Sequence, residues 1–548
     1  MVTVAEAVGE ALAGLGVRRV FGLVGSGNFH VANALVAHGA SFVAARHEGA
    51  SVSMADGYAR VMGEVGVCTV HQGPGLTNTL TALTEAAKSR TPLLLLAADT
   101  AASALRSNFR IEQDALVRSV GAVAERLHGP DTAVADAARA YRRALLERCA
   151  VVLMMPLDVQ AAACTHLEVP AAPPSVRPTR PSDTAIAEAV AVLSRAQRPL
   201  IIAGRGAVVA GAGPALAHLA DLVGALLATT ANGNGLFTGN EWSIGISGGF
   251  ASPGAAELIA EADVILGVGA ALNMWTTRHG HLVGPHATVI QVDHDADAIG
   301  AHHRADLALV GDAAETARVL AAAFEGAPRG PAWRTPVVAR RIHVGAWATT
   351  EYADASTDTH IDPRTLSLVL NEVVPNERIV AIDSGHFMGY PAMYLDVPDA
   401  QGFVFTQAFQ AVGLGLGSAI GAAVPQPDRL TVAALGDGGA MLALQELDTV
   451  ARLDLCMLIV VYNDSAYGAE VHHFGPHGSI VDLVRFDDVD FAAYGRAAGL
   501  EGVTVRQSGD LAAVRDWVAR GMPRALVVDA RVVPTVVAEW LDEAFRGH

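Results

Sequence analysis

Acidic and amide side chains follow two apolar segments in the last third of the sequence. Asp437 comes directly after the first segment, and Asn463 and Asp464 end the second. Carboxylates and backbone carbonyls are the hard oxygen ligands that Mg²⁺ prefers, and glycines let a ligand approach a helix N-terminus, where phosphate is favoured. The glycines beside the first acid are Gly436, Gly438 and Gly439. The segment therefore predicts a site for a metal and a diphosphate.

The two apolar segments are expected to be neighbouring parallel strands. LTVAAL and LCMLIVV are apolar throughout, as strands buried on both faces are. Between them, Leu444, Leu447 and Val450 recur at helical spacing. A right-handed crossover would bring Asp437 and Asp464 to the same sheet edge. The alternative for Gly-Asp-Gly-Gly alone is a tight strand-to-helix turn, but the Asn-Asp pair favours the ligand site.

The rest of the chain alternates short apolar segments with helical patterns, which is typical of parallel α/β sheets. Most of the apolar segments end in Gly, Asp, Asn or Ser, and open α/β sheets bind ligands at the carboxyl ends of their strands. The segments expected to be strands are RRVFGLVG, GVCTVHQG, TPLLLLAAD, RPLIIAGRG, ADVILGVGA, ATVIQVDHD, RIVAIDSG, LTVAALGD, LCMLIVVYND and RALVVDARVV.

Two proline-rich segments divide the chain. Linkers are expected at 169–182 and 326–336, the second followed by irregular chain to about residue 362. The expected fold is α/β, with three doubly wound parallel-sheet domains at 1–168, 183–325 and 360–548.

The composition excludes several classes of partner. The 548 residues are 51% hydrophobic and 17% charged, with a formal net charge of -18, which argues against nucleic acid or an anionic membrane. No run approaches the roughly 18 apolar residues that a membrane span needs. Four cysteines without paired spacing indicate a reducing compartment, and the N-terminus lacks the basic region of a signal peptide. The expected location is the cytoplasm.

Gly-Asp-Gly, 24 intervening residues and Asn-Asp resemble the signature of thiamine diphosphate enzymes, which ends in Asn-Asn. The resemblance implies that Asp437, Asp464 and the backbone carbonyl of Ala466 bind Mg²⁺, with Asp464 standing in place of the usual asparagine. RHEGASVSMADGYAR (46–60) resembles the segment of the family's catalytic glutamate, and HQGPGLTN (71–78) resembles its Gly-Pro-Gly-x-x-Asn turn.

The middle of the chain also matches, in the three-domain order of the superfamily of acetolactate synthase, pyruvate decarboxylase and benzoylformate decarboxylase. The resemblance therefore implies an N-terminal pyrimidine-binding domain, a central domain and a C-terminal diphosphate-binding domain. It also implies a homodimer or homotetramer, because in this superfamily the cofactor lies between the first domain of one subunit and the third domain of another.

The resemblance assigns cofactor contacts across both outer domains. Glu48 is expected to hydrogen-bond the aminopyrimidine ring, although a glutamate in the first turn of a helix is also favoured by the helix dipole. Val412 is expected to bend the cofactor, with plain core as the alternative, and the backbone of Gln410 is expected to meet the aminopyrimidine. The other expected cofactor contacts are Pro74, Asn78, Gly385, His386, Gly436, Gly438, Gly439, Tyr467 and Gly468.

Fewer residues match the superfamily at the part of the site that would bind the substrate. His71 and Glu470 fall where decarboxylases of the superfamily carry proton-transfer residues, and His472 and His473 follow closely. Histidine and glutamate are suited to moving protons, although a lone histidine is more often structural. The expected catalytic residues are therefore Glu48, His71, Glu470, His472 and His473, and the expected substrate contacts are Ser26, His30 and Gln113.

The expected function is a thiamine diphosphate- and Mg²⁺-dependent C–C bond lyase or ligase acting on a 2-oxo acid, with a carbonyl acceptor if it ligates. The alternatives are a 2-oxo acid decarboxylase that does not ligate, a flavin or nicotinamide oxidoreductase, and a non-catalytic homologue. GLVGSG, AGRGAVVAG and GVGAAL hint at dinucleotide loops, but none completes the G-x-G-x-x-G pattern with its later acidic residue. FAD in the central domain, as in acetolactate synthases, stays open.

Overall fold

The computed structural model describes residues 2–165, 168, 177–325 and 333–546. Within them the chain forms three six-stranded sheets in which every strand pairing is parallel. The expected α/β class with three parallel-sheet domains is confirmed. Most of each predicted linker lies outside the described residues. No helix in the described ranges is long and apolar enough to cross a membrane.

The first sheet has the strand order β2-β1-β3-β4-β6-β5. Its strands are β1 (Arg19–Gly22), β2 (Ser41–Ala44), β3 (Gly66–Val70), β4 (Leu93–Asp99), β5 (Val123–Arg126) and β6 (Ala150–Pro156). Its helices are α1 (Val4–Gly14), α2 (Phe29–Ala37), α3 (Glu48–Met62), α4 (Pro74–Thr77), α5 (Leu80–Lys88), α6 (Gln113–Ser119), α7 (Ala133–Glu147) and α8 (Leu157–Ala161).

The central sheet has the order β12-β11-β10-β7-β8-β9, which is doubly wound about β7 and β10. Its strands are β7 (Pro199–Ala203), β8 (Leu226–Thr229), β9 (Ser243–Ile246), β10 (Val264–Val268), β11 (Thr288–Asp293) and β12 (Leu307–Val310). Its helices are α9 (Asp183–Leu193), α10 (Arg205–Val209), α11 (Gly213–Val223), α12 (Pro253–Ala260), α13 (Met274–Thr277) and α14 (Ala313–Phe324).

The segment expected to be irregular before residue 362 contains a helix, α15 (Pro336–Val344). Thr335 caps it by accepting a hydrogen bond from the N–H of Val338, and Pro336 occupies its first turn, where a missing N–H costs nothing. The expectation of irregular chain is wrong over these residues, because a proline after a capping threonine begins a helix as readily as it extends a linker.

The third sheet has the order β14-β13-β15-β16-β18-β17, the same winding as the first sheet. Its strands are β13 (Arg378–Ile382), β14 (Phe403–Phe405), β15 (Leu430–Gly436), β16 (Met457–Asn463), β17 (Glu501–Val505) and β18 (Leu526–Arg531). Its helices are α16 (Pro363–Val373), α17 (Gly389–Tyr394), α18 (Gly415–Ala423), α19 (Asp437–Leu442), α20 (Leu447–Arg452), α21 (Gly468–Phe474), α22 (Phe491–Ala497), α23 (Ala512–Ala519) and α24 (Leu541–Ala544).

The first and third domains meet through small residues on α3 and α18. A β-carbon added to Gly57 would lie 2.1 Å from the carbonyl oxygen of Ser418, and one added to Gly421 would lie 1.9 Å from that of Met54. Side-chain atoms do not approach backbone that closely, so these positions admit only glycine. The two helices therefore touch backbone to backbone.

We expect Gly421→Ala to lower the free energy of unfolding by about 3 kcal/mol, because the added methyl group must push α3 and α18 apart. Gly509→Ala is the matched control, since a β-carbon there meets no atom within 4 Å, and its effect should stay within about 0.5 kcal/mol. Urea unfolding of the two variants measures the difference. Equal stabilities would contradict the tight contact.

Candidate active site

Two acidic side chains lie at the carboxyl ends of the neighbouring strands β15 and β16. Asp437 is the first residue of α19, directly after β15, and Asp464 directly follows β16. Burial raises the pKa of both carboxyls, and the negative charge of Asp437 raises that of Asp464 further. The structure thus brings together the two acids that the sequence places after separate strands.

This pair suits a divalent cation, because a positive charge would relieve the repulsion between the two carboxylates. The N–H of Ala466 donates to Oδ1 of Asp464 at 3.2 Å and orients that group. In the part of the chain that the structure describes, no group of three or more His, Cys, Asp or Glu side chains could hold a metal. A cation here would need backbone and ligand oxygens to complete its coordination.

Two glycines let the loops after β15 and β16 pack closely around Asp464 and Tyr467. A β-carbon on Gly468 would lie 2.4 Å from Oδ2 of Asp464, and one on Gly438 would lie 2.7 Å from the ring of Tyr467. Larger residues at these two positions would displace the carboxylate and the aromatic ring. Glycine is therefore required at both positions, and it is also the residue that lets a ligand come close to backbone.

His386 lies on the loop after β13, next to Gly385, and is held neutral. Its Nε2 accepts a hydrogen bond from the N–H of Ala538 at 2.8 Å. Burial lowers the pKa of His386 to about 3, and its ring lies 4.5 Å from that of His472. Because Nε2 is an acceptor, the proton of the neutral ring is on Nδ1. His386 can therefore donate one hydrogen bond to an anionic ligand without being charged.

We expect His386 to make folding stability depend on pH. The unfolded chain binds a proton on this histidine below about pH 6.5, whereas the folded chain does not until about pH 3. The stability it contributes is therefore present above pH 6.5 and is lost as the pH falls. Between pH 7 and pH 5, the free energy of unfolding of the wild type should fall by about 2 kcal/mol more than that of His386→Gln. Urea unfolding at the two pH values measures both free energies. An equal fall in the wild type and in His386→Gln would contradict a buried, neutral His386.

Gln410 and Val412 lie on a segment that reaches the surface. Gln410 has a φ of +57°, and its carbonyl oxygen accepts a hydrogen bond from the hydroxyl of Ser384 at 3.2 Å. That oxygen retains a second lone pair for the expected contact with an aminopyrimidine. The side chain of Val412 is 42% exposed, so within one chain it is not core.

Asp383 fixes this segment and was missed in the sequence. Its carboxylate is fully buried at the end of β13 and accepts hydrogen bonds from the N–H groups of Gly413 and Gly415, at 3.0 and 3.2 Å. Burial raises the pKa of Asp383 to about 6. The signal for it was the Asp-Ser-Gly that ends the predicted strand RIVAIDSG, the same kind of strand end that pointed to Asp437.

On the first domain, Glu48 begins α3 at the edge where β1 and β3 end. Its Oε2 accepts a hydrogen bond from Nδ2 of Asn78 at 2.9 Å. Burial lowers the pKa of His71, and the charge of Glu48 partly opposes that shift. The structure therefore brings Glu48, Asn78 and His71 into one group.

Glu446 orients the start of α3 and was also missed. This carboxylate of the third domain is fully buried, and its Oε1 accepts hydrogen bonds from the N–H groups of Arg46 and His47, both at 3.0 Å. Burial raises the pKa of Glu446. The third domain thus holds the two residues that precede Glu48.

Comparison with known families covers all three domains. The thiamine pyrophosphate (thiamine diphosphate) enzyme N-terminal TPP binding domain matches residues 2–117, the central domain matches 186–320, and the C-terminal TPP binding domain matches 383–530. A probable 2-ketoarginine decarboxylase of Pseudomonas aeruginosa is 30% identical over 93% of this chain and 90% of its own length. The chain belongs to the thiamine pyrophosphate enzyme family. The resemblance found in the sequence is confirmed, and the protein is an enzyme that depends on this cofactor.

Other relatives of this thiamine pyrophosphate enzyme have different names. A sulfoacetaldehyde acetyltransferase of Roseovarius nubinhibens is 26% identical over 99% of this chain and 94% of its own length. An acetolactate synthase large subunit of Parasynechococcus marenigrum is 28% identical over 91% of this chain and 83% of its own length. A transferase, a synthase and a decarboxylase at such identities share the family and differ in the reactions that their names describe.

Of the residues expected at the substrate end of this thiamine pyrophosphate enzyme, His71 has the most defined geometry. Its Nδ1 accepts a hydrogen bond from the N–H of Gly27 at 3.1 Å, so the neutral ring carries its proton on Nε2. The ring of Phe109 packs against it with centroids 5.1 Å apart. Ser26 is exposed on the loop that follows β1, and His30, expected on the same loop, is exposed in the first turn of α2.

Gln113, the third expected substrate contact, is buried and bound to backbone. Its Oε1 accepts from the N–H of Gly73 at 2.9 Å, and its Nε2 donates to the carbonyl of Ala98 at 3.0 Å. In one chain it therefore fixes the loop after β3, and its role toward a substrate stays a prediction.

The residues expected on α21 point to different neighbours. His472 is half-buried beside His386, and Glu470 is partly buried in the first turn of the helix. The ring of His473 stacks on that of Phe545 at 3.8 Å, next to the C-terminal helix. The structure therefore places His472 beside His386 and turns His473 toward the C-terminus.

In the central domain of this thiamine pyrophosphate enzyme, the loops after β7 and β10 pack against each other. A β-carbon on Gly204 would lie 2.3 Å from the carbonyl oxygen of Gly269, and the N–H of Gly206 donates to that oxygen at 3.0 Å. Arg205, between them, donates to the hydroxyl of Thr91 in the first domain at 3.2 Å. These contacts hold the loops after β7 and β10 against each other and against the first domain.

Proposed function

We propose that this enzyme uses thiamine diphosphate and Mg²⁺ to break or form a C–C bond next to the carbonyl of a 2-oxo acid, as an acetolactate synthase-like carboligase. The observation that carries the proposal is the pair Asp437 and Asp464 at adjacent strand ends, each with a pKa raised by burial. A buried pair of acids is costly unless a cation joins it. When bound, thiamine diphosphate supplies the electron sink that lets a 2-oxo acid lose CO₂.

In this proposal each domain has a separate task. Asp437 and Asp464 hold the metal with the backbone of Ala466, and the loops around Gly438 and Gly468 receive the diphosphate. His386 donates a hydrogen bond from Nδ1 without adding charge. This end of the site binds and orients.

Proton transfer belongs to the first domain. Glu48 would hold the aminopyrimidine by a hydrogen bond and could carry a proton there, and Asn78 fixes which of its carboxylate oxygens is available. His71 presents its Nε2 proton toward the substrate, and burial favours its neutral form. A neutral imidazole can donate or accept a proton near physiological pH.

A second copy of the chain completes the site in this proposal. Exposed apolar side chains gather beside the Val412 segment, where a β-carbon on Gly413 would lie 2.8 Å from Leu442. These exposed residues are Phe409, Val412, Met441 and Leu442. Apolar surface of this kind is typical of a subunit interface.

The alternative is a decarboxylase that does not ligate, and His71 favours it. A donor of protons beside the substrate suits a reaction that ends in protonation and not in attack on a second carbonyl. A relative named as a probable 2-ketoarginine decarboxylase supports the same reading.

The test follows CO₂ release from a panel of 2-oxo acids, with thiamine diphosphate and Mg²⁺, with and without aldehyde acceptors. A ligated product supports the carboligase, and the free aldehyde as sole product supports the alternative. Protein that binds no thiamine diphosphate in calorimetry would overturn both.

A mixing experiment tests the shared site. Glu48→Gln and Asp437→Ala chains, each inactive alone, are unfolded together and refolded. If sites form between subunits, the mixture should recover about a quarter of wild-type activity, since half of randomly formed dimers are mixed and each has one intact site. No recovery would contradict a site shared between subunits.

A further inference from the structure

A carboxylate of the first domain holds the segment that carries Gln410 and Val412. Glu85 on α5 is 1% exposed. Its Oε2 accepts a hydrogen bond from the N–H of Phe409 at 2.6 Å, and its Oε1 accepts one from the N–H of Ala408 at 3.1 Å. A carboxylate that takes two backbone N–H groups fixes the direction of the chain at that point.

The opposite end of this segment is held by Asp383 of the third domain, through the N–H groups of Gly413 and Gly415. Residues 408–415 therefore lie between two buried carboxylates, one on each outer domain. We call this stretch the 408–415 segment. The φ of +57° at Gln410 falls in its middle, so an uncommon backbone conformation is retained by anchors on both sides.

The charge of Glu85 is balanced inside the protein. Nη2 of Arg60 lies 3.2 Å from Oε1 of Glu85, and the Nε of the same arginine lies 2.9 Å from Oδ2 of Asp56. The hydroxyl of Ser89 also donates to Glu85 at 2.7 Å. One arginine thus neutralises two buried carboxylates, of which only Glu85 contacts the 408–415 segment.

The helix that carries Glu85 starts beside Glu48 of the same chain, which in the proposed dimer belongs to the other of the two sites. α5 begins at Leu80, two residues after Asn78, the residue that donates to Glu48. Lys88, near its far end, lies 5.9 Å from the ring of Phe409. One helix therefore connects Asn78, which donates to Glu48, with the segment that carries Gln410 and Val412.

We propose that Glu85 is a positioning residue, which holds the 408–415 segment from the first domain so that Gln410 and Val412 meet the cofactor in a reactive geometry. This proposal rests on the proposed function. Glu85 itself contacts backbone only, so its effect on the reaction is through the segment. A displacement of about 1 Å at a reacting centre is enough to slow a reaction by orders of magnitude.

The test compares Glu85→Gln with Asp56→Asn. Each removes one carboxylate charge from Arg60, but only Glu85→Gln removes an acceptor of the 408–415 segment, because a glutamine has one acceptor oxygen where the carboxylate has two. In the protein without cofactor, we expect the amides of residues 408 and 409 to exchange with deuterium at least about tenfold faster in Glu85→Gln. In Asp56→Asn their exchange should stay within about twofold.

The kinetic result should separate turnover from substrate binding. With saturating thiamine diphosphate and Mg²⁺, the kcat of Glu85→Gln should fall at least about tenfold, while KM for the 2-oxo acid changes less than about threefold. Asp56→Asn should retain kcat within about threefold. If Glu85→Gln does not fold, Glu85→Asp replaces it, since it keeps the charge beside Arg60 but is one methylene too short to reach both N–H groups.

Unchanged exchange of the 408 and 409 amides in Glu85→Gln would overturn the proposal. A loss of kcat in Asp56→Asn as large as that in Glu85→Gln would also overturn it, because the effect would then come from the buried charges. Failure of the proposed function looks different. The wild type would then neither bind thiamine diphosphate nor release CO₂. Even so, faster exchange of the 408 and 409 amides in Glu85→Gln would support the contact of Glu85 with the segment, and unchanged exchange would overturn it.

Discussion

Replacing Glu48 by glutamine is expected to lower the rate of CO₂ release by about 10²- to 10⁴-fold, the range for loss of a proton-transferring group. Glutamine keeps the shape of the side chain and can still accept the hydrogen bond of Asn78. It has no charge and cannot take up a proton at neutral pH. The measurement is initial-rate CO₂ release at saturating thiamine diphosphate, with binding of the cofactor followed by calorimetry.

Asn78→Ser is the matched control for Glu48→Gln. It removes the amide that donates to Oε2 of Glu48 but keeps the carboxylate, so its loss should be only about tenfold. A Glu48→Gln enzyme that retains more than half of the wild-type rate would remove Glu48 from the proposed proton transfer. Equal losses in both variants would indicate that the geometry of the group matters and not its charge.

Asp437→Ala is expected to raise the Kd of thiamine diphosphate, measured in saturating Mg²⁺, by at least about 100-fold, because it deletes one of two carboxylates proposed to hold the metal. Asp464→Asn should behave differently. It keeps a ligand oxygen and removes the carboxyl group whose pKa is raised by burial and by the charge of Asp437. Its Kd should remain within about tenfold of the wild type.

Asp464→Asn should also stabilise the protein in EDTA at pH 8, because a buried, ionised pair then becomes a single charge. Calorimetry of cofactor binding and urea unfolding with and without Mg²⁺ measure the two effects. Tight binding by Asp437→Ala would contradict the proposed metal site. A loss in Asp464→Asn as large as in Asp437→Ala would show that the negative charge at 464, which departs from the family signature, is required.

The sequence predicts the centre of each sheet better than its edges. Central strands such as β15 and β16 are buried along almost their whole length, so their apolar segments are unmistakable. β12, at an edge, is four residues long and has two exposed positions, and β14 has only three residues. β12 faces solvent on one side and lacks a continuous buried run, and β14 is fully buried but too short to be recognised.

A buried strand was also missed where no turn residue separates it from a helix. β6 follows α7 after Arg148 and Cys149, and Arg148 ends the helix in a left-handed conformation that glycine usually adopts. The crossover after β15 differs as well. Leu444 lies in a short 3₁₀ turn, Leu447 and Val450 lie in α20, and α19 is a separate helix before them.

In the candidate site too, some residues could be predicted from the sequence and others could not. Asp437 and Asp464 were predicted because each directly follows a recognisable strand, so local pattern was sufficient. Glu446 and Glu85 bind backbone groups 400 and 323 residues away, respectively. No local periodicity reports a contact across that distance, and each side chain looks like an ordinary helical glutamate until the domains are assembled.

The backbone contact between α3 and α18 bears on how this enzyme can move. Rotation of one domain on another needs an interface that can slide, and helices whose backbones interlock at Gly57 and Gly421 resist sliding. Entry of substrate and departure of product would then depend on loops, such as that between β4 and α6, which rearrange in nanoseconds to microseconds. We would therefore look for the slow step of turnover in the chemistry or in those loops, and not in the opening of a hinge between the first and third domains.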